Sequence, residues 1–114
     1  MVTVVVYLAS ALLCTAGQCY PALVGNDTPT GIYPLVRRYV AARGYGGDVM
    51  QYAETGRDLL AIHRVWLGNP SEHRAARLAS TDPVMRRTVT HGCINVMPEV
   101  YERIVSADTL EIRN

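Results

Sequence analysis

Apolar residues at every second position open the chain. Val2, Val4, Val6 and Leu8 share one face of an extended backbone, and the β-branched content of residues 1–16 predicts β-strand. Ala16-Gly17 reads as a two-residue turn, so residues 3–25 form two strands joined near Gly17. The turn formers Asn26-Asp27-Thr28-Pro29-Thr30-Gly31 close this unit. A third strand over 32–40 carries Tyr33, Leu35, Val36 and Tyr39; Pro34 within it marks an edge or a bulge, because proline has no N–H for a ladder. Strands over 49–53 and 59–66 follow, separated by a turn at 54–58. On the second of them His63 falls on the face of Leu59, Ala61 and Val65.

The period then lengthens to that of helices. Asn69 is an N-cap, Pro70 takes the first helical position and Glu72 reaches back as in a capping box, which predicts a helix over 70–79 with Ala75, Leu78 and Ala79 inward. His73, Arg74 and Arg77 form its solvated face or, alternatively, bind a substrate carboxylate. Pro98 opens a second helix over 98–106, with the stripe Val100, Tyr101, Ile104 and Val105 and with Glu99 one turn before Arg103. Leu110 and Ile112 mark a closing strand. The expected fold is mainly β with two short helices, one domain over 1–114.

Composition narrows the chemistry. Eleven basic and ten acidic residues leave a net charge of +1, which excludes a nucleic-acid surface or polybasic membrane patch as the organising feature. Every basic residue is arginine, so Schiff-base and Ser-Lys chemistry are excluded. The opening stretch lacks the basic start of a signal peptide, since the first basic residue is Arg37. Thr3, Tyr7 and Ser10 interrupt it too often for a transmembrane segment. A strand is the reading, and an atypical export signal is the alternative.

Of three cysteines, Cys14 and Cys19 would face each other across the turn, with Thr15 opposite Gln18. They are expected to fill space unbridged, with oxidation in an oxidising compartment as the alternative, while Cys93 stays free. The glycine-rich run Arg43-Gly44-Tyr45-Gly46-Gly47-Asp48 lacks a phosphate-loop ending; it reads as a connection, with Tyr45 as a substrate contact if the loop covers a site.

The chemistry concentrates in Thr90-His91-Gly92-Cys93-Ile94-Asn95. A cysteine after His-Gly, with a histidine upstream, has the parts of an activated thiolate: a nucleophile, a base, and a glycine that lets backbone N–H groups meet an oxyanion. The competing reading is a buried thiol that only fills space. The spacings of His63, His73, His91 and Cys93 match no compact zinc site, so neither metal nor cofactor is expected.

The Thr-His-Gly-Cys-Ile-Asn run, preceded by Ala61-Ile62-His63, resembles the signature of the L,D-transpeptidase catalytic domain, or YkuD domain. Tyr20-Pro21-Ala22-Leu23-Val24-Gly25 and the Asp27-Thr28-Pro29-Thr30-Gly31 turn are similar to further blocks of that family, in its order. The resemblance implies a β-sandwich-like fold and a cysteine that attacks the peptide bond after the third residue of a peptidoglycan stem. Cys93 would then be the nucleophile and His63 the base. His91 and Gly92 would shape the turn, and N–H groups of Gly92 and Cys93 would hold the oxyanion. Arg64, Thr90 and Asn95 join Tyr45 as expected substrate contacts.

The implied partners are a donor tetrapeptide and an acceptor amine, with acylation by carbapenems and a periplasmic or envelope location. Water or a free D-amino acid as acceptor would give a carboxypeptidase or an exchanger; a silent wall-binding module is the non-enzymatic alternative. The stretch 64–90 is longer than is common in the family, and Arg64 stands where many members have glycine. His73 therefore competes with His63 as base. The thiol of Cys93 is expected to be lowered by an imidazolium neighbour.

Overall fold

A computed structural model describes residues 2–40, 46–56 and 58–114. Tyr45, with the rest of 41–45, and Arg57 lie outside the described residues. The strands are β1 (Thr3–Tyr7), β2 (Leu12–Thr15), β3 (Gln18–Pro21), β4 (Gly31–Pro34), β5 (Val36–Tyr39), β6 (Asp48–Thr55), β7 (Asp58–Arg64), β8 (Ile94–Val96) and β9 (Thr109–Arg113). The α-helices are α1 (Arg74–Ala79) and α2 (Pro98–Ile104), with 3-10 turns at Pro70–Glu72 and Pro83–Arg86. Among the described residues the strands form two sheets, in the orders β3-β2-β1-β9-β4 and β5-β6-β7-β8. One core joins them, with Val4, Val6, Leu13 and Ile112 from the first sheet, Tyr52, Leu60, Ile62 and Ile94 from the second, and Tyr101 and Ile104 from α2. This is the mainly β, two-helix architecture expected.

The first unit has three strands rather than two. The apolar run folds back at Ala11, whose φ of 51° takes the left-handed region and ends strand pairing. The cause lies far along the chain. Arg86 is buried, and its guanidinium donates to the carbonyls of Ser10 (2.9 Å), Ala11 (3.1 Å) and Ser80 (2.5 Å). Beyond the fold-back, Ala16 (φ 50°) and Gly17 (φ 79°) make a turn with positive φ at both central positions, which matches the twist of the hairpin. The register is the one read from the sequence, Thr15 opposite Gln18 and Cys14 opposite Cys19. The expectation of unbridged cysteines is corrected: Cys14 and Cys19 form a disulfide, with Cα atoms 4.0 Å apart.

The expected strand over 32–40 divides at Leu35 between the two sheets. Pro34 closes β4 against β9, Leu35 turns into the core and donates its N–H to Asp108, and β5 pairs with β6 in the other sheet. The helix over 70–79 is also divided. Asn69 caps it through Ser71 N–H, but His73 adopts φ 53° and separates the 3-10 turn from α1. Leu78 alone of the three expected residues faces inward; Ala75 and Ala79 are exposed. Glu72 reaches forward to Arg74 instead of back to the cap, and Arg74 leaves the solvated face.

The second helix buries Val100, Tyr101 and Ile104 as its stripe requires. Its Arg103 donates to the Tyr20 hydroxyl at 2.6 Å, tying the helix to β3. No helix among the described residues is long and apolar enough to cross a membrane.

Asp48 fastens the second sheet to α2. It is 3% exposed and accepts from Arg37 Nε (2.8 Å), Arg64 Nη1 (2.9 Å) and the Tyr101 hydroxyl (2.9 Å). Burial pushes its carboxyl up, but the bonds from Arg64, Arg37 and Tyr101 outweigh this and lower it. Its contribution to stability is therefore complete above the unfolded pKa of about 3.9 and is lost as pH falls through the lower folded value. Asp48→Asn should cost about 2 kcal/mol at neutral pH, because it removes the charged acceptor that Arg37, Arg64 and Tyr101 share. Urea unfolding at pH 7 and pH 3 would check this: the variant should lose less stability on acidification than the parent does.

Candidate functional site

Two strands distant in sequence meet side by side. β7 and β8 pair in parallel, with Ile62 opposite Ile94 and His63 opposite Asn95. A parallel pair needs a crossover, and the long connection holding α1 supplies it. Continued by one residue, the register sets Cys93, the residue before β8, level with Ala61 and on the sheet face that His63 shares. Cys93 and His63 border one cleft of about 790 Å3, together with Leu59, Ala61, Arg74, Thr90, His91 and Gly92. The alternation of β7 accounts for His63: Leu60 and Ile62 enter the core, whereas Leu59, Ala61 and His63 line the cleft.

The imidazole is fixed at both nitrogens. Nδ1 lies 2.7 Å from the Arg64 carbonyl, which can only accept, so Nδ1 carries the hydrogen and Nε2 of the neutral ring has the lone pair. Asn95 Nδ2 faces Nε2 at 3.4 Å. Burial pushes His63 down to about 4, against the Arg64 carbonyl, which raises it, and with the Arg74 charge, which lowers it further. His63 is neutral at physiological pH. Burial likewise raises the Cys93 thiol, although the Ala61 N–H and Arg74 pull the other way. The thiol donates to the Leu59 carbonyl at 3.4 Å. The expected lowered thiol is therefore corrected: at rest the pair is a neutral thiol and a neutral imidazole, because burial penalises both charges.

The turn before Cys93 is built by groups that the motif does not contain. The Gly92 carbonyl accepts from Tyr52 Oη (2.6 Å) and Thr28 Oγ1 (3.1 Å), both buried. Because the Gly92–Cys93 peptide is trans, anchoring that carbonyl turns the Cys93 N–H to the opposite side. The Gly92 N–H is held by Thr90 Oγ1 at 3.2 Å, which leaves the Cys93 amide as the better of the two expected oxyanion donors. A Cβ on Gly92 would lie 2.7 Å from Leu60 Cδ2, the far end of a side chain that can shift. Gly25 is constrained more firmly, because its Cβ would fall on the Thr90 backbone carbonyl.

The other expected contacts divide. Thr90 borders the cleft, yet its hydroxyl is engaged in the turn, donating to the Cys93 carbonyl at 2.5 Å. His91 is exposed at the cleft rim. Asn95 and Arg64, expected as substrate contacts, are not among the residues that border the cleft. Asn95 is fully buried, its Oδ1 accepting from Trp66 N–H (3.2 Å) and Arg74 Nη1 (2.9 Å), while Arg64 joins Asp48 and Glu102 and lies over the Tyr101 ring at 4.1 Å. His73 is exposed at the break before α1 and is not among the residues that border the cleft.

Sequence reasoning missed Tyr52, and it placed Arg74 at a site only in the alternative to a solvated face. Tyr52 lies at a bulge in β6, where the register shifts between Gln51 and Ala53, and no local signal marks that bulge. Among the described residues no group of three or more His, Cys, Asp or Glu converges to hold a metal.

No protein-family model and no curated protein sequence matches the chain. Solved structures do match, and they show the fold. An L,D-transpeptidase from Mycobacterium tuberculosis H37Rv superposes with a TM-score of 0.69 at 18% identity, over 99% of this chain and 57% of that one. L,D-transpeptidase 3 from the same species, in complex with a faropenem-derived adduct, gives 0.67 at 14% identity, over 99% of this chain and 60% of that one. The LD transpeptidase LdtMt1 in complex with imipenem gives 0.60 at 16% identity, over 97% and 58%. The chain thus spans less than two thirds of the length of these structures.

A resting neutral pair has a kinetic signature. The rate of Cys93 alkylation by iodoacetamide should rise with pH to an inflection above the ordinary thiol value of about 8.5. An inflection below pH 7 would mean a resting thiolate–imidazolium pair instead.

Proposed function

We propose that the chain is a cysteine acyltransferase of the L,D-transpeptidase type, acting on peptidoglycan stem peptides in the cell envelope. The observation that carries this reading is the shared cleft, bordered both by Cys93 and by a His63 whose Nδ1 is committed to a backbone carbonyl, so that Nε2 carries the lone pair. The likeness to L,D-transpeptidase folds supports the substrate class.

Cys93 Sγ attacks the carbonyl carbon of the third stem residue as His63 Nε2 takes the thiol proton. The oxyanion forms against the Cys93 N–H, and collapse expels D-alanine, whose amine receives the proton from His63. A thioester remains. An amine from a second stem attacks it, loses a proton to His63 and restores the thiol, which leaves a 3→3 cross-link. Because both partners start neutral, proton transfer accompanies attack instead of preceding it.

Incubation with a disaccharide-tetrapeptide, read by mass, tests the reaction. A cross-linked dimer is expected; tripeptide alone would make the chain a carboxypeptidase, and unchanged substrate would favour a silent wall-binding module. Two of the structurally similar transpeptidases are described with a faropenem-derived adduct or in complex with imipenem, so imipenem should add its mass to the chain and fail to do so in Cys93→Ala. His63→Ala should slow this acylation by about 10²-fold or more, the usual weight of a general base, whereas His73→Ala should leave it unchanged. The reverse pattern would transfer the base to His73.

A further inference from the structure

The connection between the two functional strands places a charge that the proposed chemistry does not use. The Arg74 guanidinium is held on three sides: Nε and Nη2 reach the Glu72 carboxylate oxygens at 3.2 and 3.4 Å, Nη1 donates to Asn95 Oδ1 at 2.9 Å, and Cζ lies 5.3 Å from the centroid of the Trp66 ring. Asn95 Oδ1 accepts the Trp66 N–H as well. Two partners that can only donate fix which end of the amide is oxygen, so its NH2 group must face His63 Nε2. Inverting the amide would set N–H groups against a guanidinium and a backbone N–H. A protonated His63 would aim an N–H at that NH2 group, close to a cation already in place.

We infer that Arg74 is a positioning residue that acts through Asn95: it locks the amide facing His63 Nε2 and, with the Arg64 carbonyl that fixes the hydrogen on Nδ1, holds the imidazole neutral with the lone pair on Nε2. The inference deepens the proposed function, since it rests on His63 as the base. Other charged or titratable groups border the same cleft: Asp27 from the turn after β3, Asp58 at the start of β7, and His91 and Cys93 before β8. Glu72 accompanies Arg74 and offsets part of its charge. Of these groups Arg74 is the one that touches the amide.

The test is the imidazole itself, observed by nitrogen and carbon NMR of the full chain across pH and assigned with His63→Gln. The parent should keep the Nδ1–H form and not titrate above about pH 5. Arg74→Met should raise the midpoint by about one pH unit while the Arg64 carbonyl keeps the hydrogen on Nδ1, and Arg74→Lys should restore most of the parent behaviour. Imipenem acylation of Cys93 should slow about tenfold in Arg74→Met and recover in Arg74→Lys. If Arg74→Met does not fold, Arg74→Gln keeps a donor for Asn95 and removes the charge; its midpoint should rise with the tautomer unchanged.

A His63 titration identical in the parent and in any folded variant that lacks the Arg74 charge would overturn the inference. The spectra need no stem peptide, so the two readings fail separately. A chain that shows the Arg74 effect but acylates nothing loses the proposed function, and a chain that cross-links with an Arg74-independent His63 loses only this inference.

Discussion

The parallel pairing of β7 with β8 is the constraint on which the rest depends. It is a short ladder, Ile62 to Ile94, His63 to Asn95 and Arg64 to Val96, but it joins segments that the chain separates by a helix-bearing connection. Without it Cys93 would be one free cysteine and His63 one buried histidine. With it, a single backbone register sets the lateral position of nucleophile, base and supporting amide. The pairing is protected by burial: Ile62, Ile94, Asn95 and Val96 are fully buried, so a slip by one residue would drive Asn95 into the core and an isoleucine into the cleft.

What the sequence discloses follows the range of the interaction responsible. The Cys14–Cys19 register is legible because a two-residue turn determines it within six residues, and the cleft face of β7 is legible because alternation is a local rule. Only the bonding state of the two cysteines was not, since facing positions permit a disulfide without requiring one. The fold-back at Ala11 is illegible locally, because the group that holds it is Arg86 on the other side of the chain. The same holds for Tyr52, whose role is created by a bulge, and for Asn95, whose polar character suggests an exposed contact until the parallel strand covers it. The helix over 70–79 shows the limit from another side: its cap signal was correct, but His73 breaks it and turns Arg74 from solvent to the cleft.

The electrostatics are consistent with this division. Asp48 is surrounded by arginines and a phenol and stays charged, whereas burial keeps Cys93 and His63 neutral. The sheet thus carries an ionised cluster where it meets α2 and an uncharged reactive pair at its cleft face. Low dielectric around the pair makes a developing negative charge costly unless a donor meets it, which gives the oriented Cys93 N–H its weight.

The bonds of Arg86 have a consequence for the connection between β7 and β8. Arg74 ties its first part to Asn95, and Arg86 ties its last part to Ser10 and Ala11, so one long excursion becomes a series of short spans between fixed points. Chain entropy is then lost in small closures rather than one large one. The exposed spans between the two anchors are free to accept changes of length that leave the register of β8 untouched, so this segment can diverge in sequence while the spacing of nucleophile and base stays fixed.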